Sequence, residues 1–536
     1  MKKLFQIPVL VIILTVGIVL GIELEKIFSD DSLQDGIRKI NDVLSYTEKY
    51  YIEEIDTPKL VDDAIKGIMD NLDPHSFYIS AKDFNSIEES FRGDFEGIGI
   101  EFQIVNDTLT VVSPITGGPS ESLGILPGDR IVKINGENCV GITNEQVREK
   151  LRGKAGSKVN VSISRIGVKD LIDYEITRDK IPLYSVDVHL IMKDSIGYVS
   201  VSRFSETTYD ELSHALNDLN KKGMKELILD LRGNPGGLLD QAVDMADIFI
   251  DDEKKIVFTR GRRKEFDEEK FASKPSAFEK IPLIVLINHG SASASEIVSG
   301  AIQDWDRGLI IGETSFGKGL VQQQFTLPDN SAIRLTISKY YTPSGRSIQR
   351  DYSDKKKYEE YYATNIDSGA PEENNIEHLA EKDTTKQVFK TNGGRTVYGG
   401  GGITPDYIIK SENITDYTRN LLKNNIFYQY SLSYIEQKGK ELNAVHGSDL
   451  EKFVKDFQFS QNDIDKFISF AETKDVKFVE NDFEVDKHYI ETRLKAQVAR
   501  NYWKNEGWYS VMLTVDNQVE KAITLFDEAK EIANLK

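Results

Sequence analysis

The residues best placed to do chemistry fall in two short stretches. Gly290-Ser-Ala-Ser-Ala-Ser-Glu296 directly follows the apolar run from Pro282 to Asn288, so its serines stand at the mouth of an expected helix. Gly317-Lys318-Gly319 comes next, with Lys318 25 residues beyond Ser293 and Gln322 four residues further on. A helix N-terminus presents unpaired N–H groups and the positive end of a dipole, and both favour a developing negative charge. An amine serves as base to a serine only when neutral, which requires burial to lower its pKa. The flanking glycines give the backbone room to carry Lys318 into a dry cleft. If the segment is a strand, residues 318, 320 and 322 share a face, and Gln322 can hold the amine. The pattern predicts a hydrolase with a serine nucleophile and an amine base. The spacing Ser293-Ala-Ser-Glu296 fits a capping box equally well.

An acyl-transfer site also needs donors for an oxyanion. Leu229-Asp-Leu-Arg-Gly-Asn-Pro-Gly-Gly237 reads as a strand running into a glycine turn. Pro235 has no N–H, but Gly236 and Gly237 do, and the N–H of Ala294 lies at the expected helix start. Without the serines, a plain strand-to-helix turn would explain the same residues.

Other chemistries fit less well. Gly312-Glu-Thr-Ser-Phe-Gly317-Lys318-Gly319 nearly matches a phosphate-binding loop. Gly319 stands where a magnesium ligand needs a hydroxyl, and the segment after it reads as strand instead of helix. His289, four residues before Ser293, has no acidic partner motif, and His75 reads as a helix-end or loop residue. The seven histidines are scattered and one cysteine, Cys139, stands alone, so no metal site or cofactor is expected. Ser353-Asp-Lys-Lys356 formally matches a Ser-x-x-Lys motif but lies in a charged stretch without its companion motifs.

The surrounding elements are legible from periodicity. Apolar residues at helical spacing between 30 and 72 predict helices that end at Leu72-Asp-Pro-His75, because the residue before a proline avoids the helical region. From Phe91 to about Arg165 short strands and turns follow, with Gly97-Ile98-Gly99-Ile100 and Leu126-Pro-Gly-Asp129. This stretch resembles a PDZ domain of the bacterial, circularly permuted kind. The Gly97–Ile100 turn exposes N–H groups able to hold a terminal carboxylate, and the next strand edge can accept a peptide strand. From Ser195 to about Leu335 strands and helices alternate, which predicts an α/β layer structure. Residues 351–396 are polar and charged and read as a solvated excursion. From 411 to 536 the apolar spacing is helical again, with no motif that carries chemistry.

With 536 residues, 39% hydrophobic and 29% charged, the chain is an ordinary globular protein of several domains. A net charge of −20 argues against nucleic acid or an anionic lipid surface as the main partner. At the N-terminus, Lys2 and Lys3 precede an apolar run over residues 4–22 whose nineteen residues would span roughly 28 Å as a helix. This predicts an uncleaved signal-anchor in the cytoplasmic (inner) membrane, single-pass, with the rest of the chain in the periplasm or exterior. The apolar faces within 30–72 fit a homodimer or packing within one chain, and the C-terminal helices fit a regulatory partner or a cover for the catalytic core.

Taken together, these motifs resemble the carboxyl-terminal processing proteases, tail-specific serine peptidases of the Ser–Lys type. The likeness runs through Leu72-Asp-Pro-His-Ser76, the PDZ segment, Leu229–Gly237, Gly290–Glu296, Gly312–Gly319 and Tyr340-Tyr-Thr-Pro-Ser-Gly-Arg346. It implies Ser293 as nucleophile, in preference to Ser291 and Ser295, Lys318 as general base and Gln322 as the residue orienting it. It implies Gly237 and Ala294 as oxyanion donors, and capture of an apolar substrate C-terminus by the PDZ residues Gly97, Ile98, Gly99 and Ile100. The fold it implies is multidomain α/β: a crotonase/ClpP-like protease core with an inserted PDZ domain, N-terminal helices and an all-α C-terminal extension. The expected division is 1–25 transmembrane signal-anchor, 26–83 helical region, 84–168 PDZ domain, 169–410 protease core and 411–536 helical domain. The expected function is a membrane-anchored serine endopeptidase acting on unstructured, apolar C-termini of extracytoplasmic proteins. A catalytically silent PDZ adaptor is the alternative.

Overall fold

A computed structural model describes residues 31–251, 253–358, 387–447 and 449–535. Its centre is a six-stranded sheet in the order Val186–Ile191, Ile196–Val201, Glu226–Asp230, Leu283–Ile287, Leu309–Gly312 and Tyr407–Ile408. The first pair is antiparallel and the rest are parallel. Parallel strands must be covered on both faces, so they read as continuous apolar runs. Alternation sorts their side chains: Leu227, Leu229, Val285, Ile287 and Ile310 point to one face and Ile228, Ile284, Leu286, Leu309 and Ile311 to the other.

The helices Thr208–Lys221, Leu239–Asp247 and Ala294–Asp304 cover the first face. The second face is covered by Val519, Ala522, Leu525, Phe526 and Ala529, from two short helices near the C-terminus. The last two helices of the stretch 411–536 thus pack on the α/β sheet. Helices between Asp416 and Met512 have their own core around Phe427, Tyr430, Phe453, Phe467 and Leu494.

A second sheet carries the site. Ala332–Tyr341 pairs with Leu320–Thr326, with Lys255–Gly261 and with the short strand Phe77–Ile79. This last pairing brings the N-terminal Asp73–Ser76 loop to the protease core. The chain leaves toward the PDZ sheet by Asp94–Gly97 and returns by Asp179–Pro182, two strands paired antiparallel. Between them lie the sheet with Ile100–Val105 at its edge and the helix Asn144–Leu151. The strand Ile172–Thr177 pairs with Lys158–Ser164 and belongs to this sheet, beyond the expected boundary at 168. At the end of the polar stretch expected as a solvated excursion or mobile loop, Val388–Lys390 and Thr396–Tyr398 pair as a hairpin.

The expected single-pass location in the inner membrane is corrected: no helix among the described residues is long and apolar enough to cross a membrane. The run over residues 4–22, on which that expectation stood, lies outside the described residues.

Candidate active site

Ser293 ends the turn between the buried strand Leu283–Ile287 and the helix Ala294–Asp304, with φ 53° and ψ −107°. Such a conformation costs a residue with a Cβ about 1–3 kcal/mol and persists only where the surroundings impose it. Here its N–H donates to Glu296 Oε2 at 2.8 Å, and its carbonyl accepts from the Tyr340 hydroxyl at 3.1 Å. Glu296 thus reaches back as a capping box requires, while the Glu296 N–H goes to the Ser293 carbonyl at 2.9 Å.

The two neighbouring serines are committed elsewhere. Ser291 Oγ donates to the Leu231 carbonyl at 2.8 Å and Ser295 Oγ to the Asn234 carbonyl at 2.9 Å. Both are wholly buried, whereas Ser293 is only partly buried. Of the three hydroxyls, that of Ser293 is the one placed where a substrate can reach it.

Lys318 Nζ donates to Gln322 Oε1 at 2.9 Å, and Gln322 Nε2 donates to the His75 carbonyl. Lys318 lies two residues before the strand Leu320–Thr326, and the register shift beside Gln322 falls on the partner strand, where Ile337 is the extra residue between Thr336 and Ser338. Burial pushes the Lys318 ammonium below the ordinary lysine range and Arg334 acts in the same direction, against the carboxylates of Glu296 and Asp73. Among the described residues no hydrogen bond joins Ser293 Oγ directly to Lys318 Nζ. Their link runs through Glu296, whose buried carboxylate also accepts the N–H groups of Lys318 at 2.9 Å and Gly317 at 2.7 Å and the Ser315 hydroxyl at 2.5 Å.

The glycine turn after the strand Glu226–Asp230 lies against Ser293. A Cβ on Gly236 would meet the Ala292 carbonyl at 2.7 Å and the Ser293 Cβ at 2.9 Å. The Gly236 N–H is spent on Asn234 Oδ1 at 2.9 Å. Those of Gly237 and Ala294 have no acceptor among the described residues, which leaves both available to an oxyanion.

Of the expected peptide-binding residues, Gly97 is taken into the paired strand Asp94–Gly97, while Ile100 opens the edge strand Ile100–Val105. Ile98 is buried, and its carbonyl accepts from the Ser120 N–H and hydroxyl. Gly99 has φ +73°. The N–H groups of Ile98 and Gly99 have no acceptor among the described residues.

Sequence reasoning missed several participants. His75 meets Gln322 across 247 positions of chain and Asp73 meets Thr336 across 263, and no local pattern announces such contacts. Glu296 was legible only as a capping residue, and Tyr340 and Arg334 only as strand residues. His289, expected to lack an acidic partner, has one in Glu313 at 3.2 Å. Burial raises the Glu313 carboxyl, but bonds from His289 and Ser411 outweigh it and hold the group at about 2. That carboxylate is turned to the Ser411 N–H and hydroxyl.

An α/β core, a glycine turn beside a partly buried serine at a helix N-terminus, and an inserted antiparallel sheet fit a serine-type peptidase carrying a PDZ domain. The comparisons agree. Residues 195–354 match Peptidase family S41, residues 110–165 a PDZ domain, and residues 417–504 a family of unknown function. A carboxy-terminal-processing protease of Bartonella bacilliformis is 42% identical over 318 residues, covering 58% of this chain and 72% of that protein. The carboxy-terminal processing protease CtpA of Bacillus subtilis is 40% identical over 319 residues, covering 58% of this chain and 66% of its own. Among solved structures, the PDZ domain of a carboxy-terminal protease from Vibrio cholerae, in complex with peptide, is 33% identical. That match covers 17% of this chain and 99% of the domain, with a TM-score of 0.16. The chain belongs to peptidase family S41, among the carboxy-terminal processing proteases.

Proposed function

We propose that this protease cuts proteins presented by a free, unstructured, apolar C-terminus, with Ser293 as nucleophile and Lys318 as general base. The observation that carries the reading is the Lys318 amine: largely buried, lowered in pKa, held by Gln322 at 2.9 Å, and tied to the nucleophile's turn through Glu296. In its neutral form it takes the hydroxyl proton of Ser293 as the oxygen attacks the scissile carbonyl. The tetrahedral oxyanion is held by the N–H groups of Gly237 and Ala294. The protonated amine then gives its proton to the leaving nitrogen, and water resolves the acyl-enzyme by the same route. Gln322 orients the amine throughout.

The substrate's terminal carboxylate is received at the Gly97–Ile100 turn, where the N–H groups of Ile98 and Gly99 are unspent, and its backbone adds to the edge strand Ile100–Val105. We assign the PDZ unit to the segment between the paired strands Asp94–Gly97 and Asp179–Pro182, and the peptidase unit to the layers around it.

The test compares the full chain with Ser293→Ala and Lys318→Ala on an unfolded protein ending in a free apolar C-terminus, with products read by mass spectrometry. Cleavage by the parent and by neither variant is expected. Cleavage that survives Lys318→Ala would show that the base is another group. Tail binding without cleavage by the parent would count against the proposed substrate presentation.

A further inference from the structure

We propose that Asp73 is a positioning residue of the catalytic base. It clasps the 73–76 loop onto the strand Ala332–Tyr341, so that the His75 carbonyl holds the Gln322 amide with its oxygen toward Lys318. The inference deepens the Ser–Lys reading and rests on it.

The clasp is built from one carboxylate. Asp73 Oδ1 accepts the N–H of His75 at 2.9 Å, the N–H of Ser76 at 3.1 Å and the hydroxyl of Thr336 at 3.0 Å. Asp73 Oδ2 accepts the Ser76 hydroxyl at 2.7 Å, and Ser76 Oγ in turn accepts the Thr336 N–H at 3.1 Å. Burial pushes the Asp73 carboxyl up, but the bonds from Ser76, His75 and Thr336 outweigh it and keep the group below the usual range. Phe77–Ile79 then continues as a strand against Ala332–Arg334. The His75 ring is fixed as well, by the Tyr358 hydroxyl at 2.7 Å.

The loop's effect on the site follows from donor and acceptor types. A glutamine amide has one accepting end and one donating end, and a main-chain carbonyl only accepts. The His75 carbonyl therefore selects Nε2 of Gln322, which leaves Oε1 for the amine. Reversed, the amide would set its NH₂ against the donors of Lys318. With one amine proton pinned by Oε1, the lone pair of the neutral amine points away from Gln322 and is free to accept the proton of Ser293. The loop adds no like charge, because burial and Lys318 together lower the His75 imidazole to about 4.

The experiment measures kcat, KM and the pH profile of the full chain and four variants on the same unfolded substrate. The charged groups acting on Lys318 are Asp73, Glu296 and Arg334; His75, beside it, is neutral above its lowered pKa of about 4. Asp73→Ala is expected to lower kcat on the order of 10²-fold with little change in KM, because misplaced catalytic groups cost about that much. Asp73→Asn keeps a side-chain oxygen for the loop, so it should retain kcat to within about tenfold of the parent. It loses the negative charge that favours the ammonium, so its alkaline rise should begin at lower pH. A folded Asp73→Ala variant with parental kcat overturns the proposal, and so does an Asp73→Asn variant as slow as Asp73→Ala. If Asp73→Ala does not fold, Thr336→Val removes one hydroxyl from the clasp: a several-fold lower kcat at parental KM supports the role, and an unchanged kcat overturns it. Lys318→Ala separates the two ideas. Its activity would sink the Ser–Lys reading itself, whereas an inactive Lys318→Ala beside a full-rate Asp73→Ala would sink only the clasp.

Discussion

Ser293 and Lys318, on separate loops 25 residues apart, share one acceptor: Glu296 Oε2 takes the N–H of the first at 2.8 Å and of the second at 2.9 Å. Oε1 of the same carboxylate takes the Ser315 hydroxyl and the Gly317 N–H. A group that ties the proposed nucleophile to the proposed base in this way constrains the geometry of the proposed reaction as well as the fold. Burial raises the Glu296 carboxyl, while these four donors favour its ionised form.

Glu296→Gln tests that constraint. An amide has one oxygen, so its NH₂ must face one of the two donor pairs, and buried donors left unpaired cost about 1–3 kcal/mol each. The expected outcome is a lower melting temperature together with a kcat reduced by at least about tenfold, since base and nucleophile lose their common anchor. Thermal melts and steady-state kinetics on the same preparation check it; a parental melting temperature would show that the four bonds are not what holds the two loops.

The pH dependence carries a second prediction. With Lys318 as the proposed base, activity needs its neutral form, so the rate should rise toward alkaline pH as the amine loses its proton. Arg334 disfavours the ammonium, so Arg334→Gln removes a force that lowers the Lys318 pKa. The pKa then moves up, the neutral fraction at any given pH falls, and the rising limb of kcat/KM moves to higher pH. Burial, the larger cause, remains, so the shift is partial. A limb that stays in place or moves to lower pH would remove Arg334 from the electrostatics of the base.

How far the site was legible follows from how local its signals are. The strand Leu283–Ile287 and the helix after it were fixed by a five-residue apolar run and a glycine-serine turn, and the structure has them where periodicity places them. The choice of Ser293 among three serines was not a local matter. It rests on the carbonyls of Leu231 and Asn234, which lie sixty positions away and take up the other two hydroxyls. Lys318 and Gln322, four residues apart, are joined by a 2.9 Å hydrogen bond, and the bulge beside Gln322 lies in the partner strand at Ile337. Asp73 read as a helix stop because its neighbour is proline, and nothing nearby shows that Thr336 completes its hydrogen bonds. Equally hidden was the pairing of the C-terminal helices with the core sheet, since an amphipathic helix shows that it has an apolar face but not which surface covers it.

Gly237 offers a third test. Its φ of +149° is one that residues with a Cβ rarely adopt, and a Cβ there would meet the Phe204 carbonyl at 2.0 Å. Gly237→Ala must therefore shift the turn that carries the unspent N–H. Loss of one oxyanion donor costs on the order of 10²–10³ in kcat, and that is the expected fall. The change should appear in kcat more than in KM, because the donor serves the tetrahedral intermediate. Circular dichroism on the same sample confirms folding, and a folded Gly237→Ala variant with parental kcat would remove this N–H from the oxyanion site.

The last prediction concerns the far face of the central sheet. Ile228, Ile284, Leu286, Leu309 and Ile311 are buried there beneath Val519, Ala522, Leu525, Phe526 and Ala529. The seam is pinned at its edge by Arg232, which bonds Asp516 and Gln518. A mainly parallel sheet left bare on one side exposes a contiguous apolar surface of the kind that aggregates. Phe526→Ala removes the largest side chain of the covering helices and should cost about 3–5 kcal/mol, the usual loss for a buried phenylalanine. Because the helices cover the peptidase core, the loss should be shared by the strand Leu283–Ile287, which hydrogen exchange can follow during denaturation. If exchange quickens only in residues 517–532 and the strand keeps its protection, these helices are an appendage and the core is stable without them.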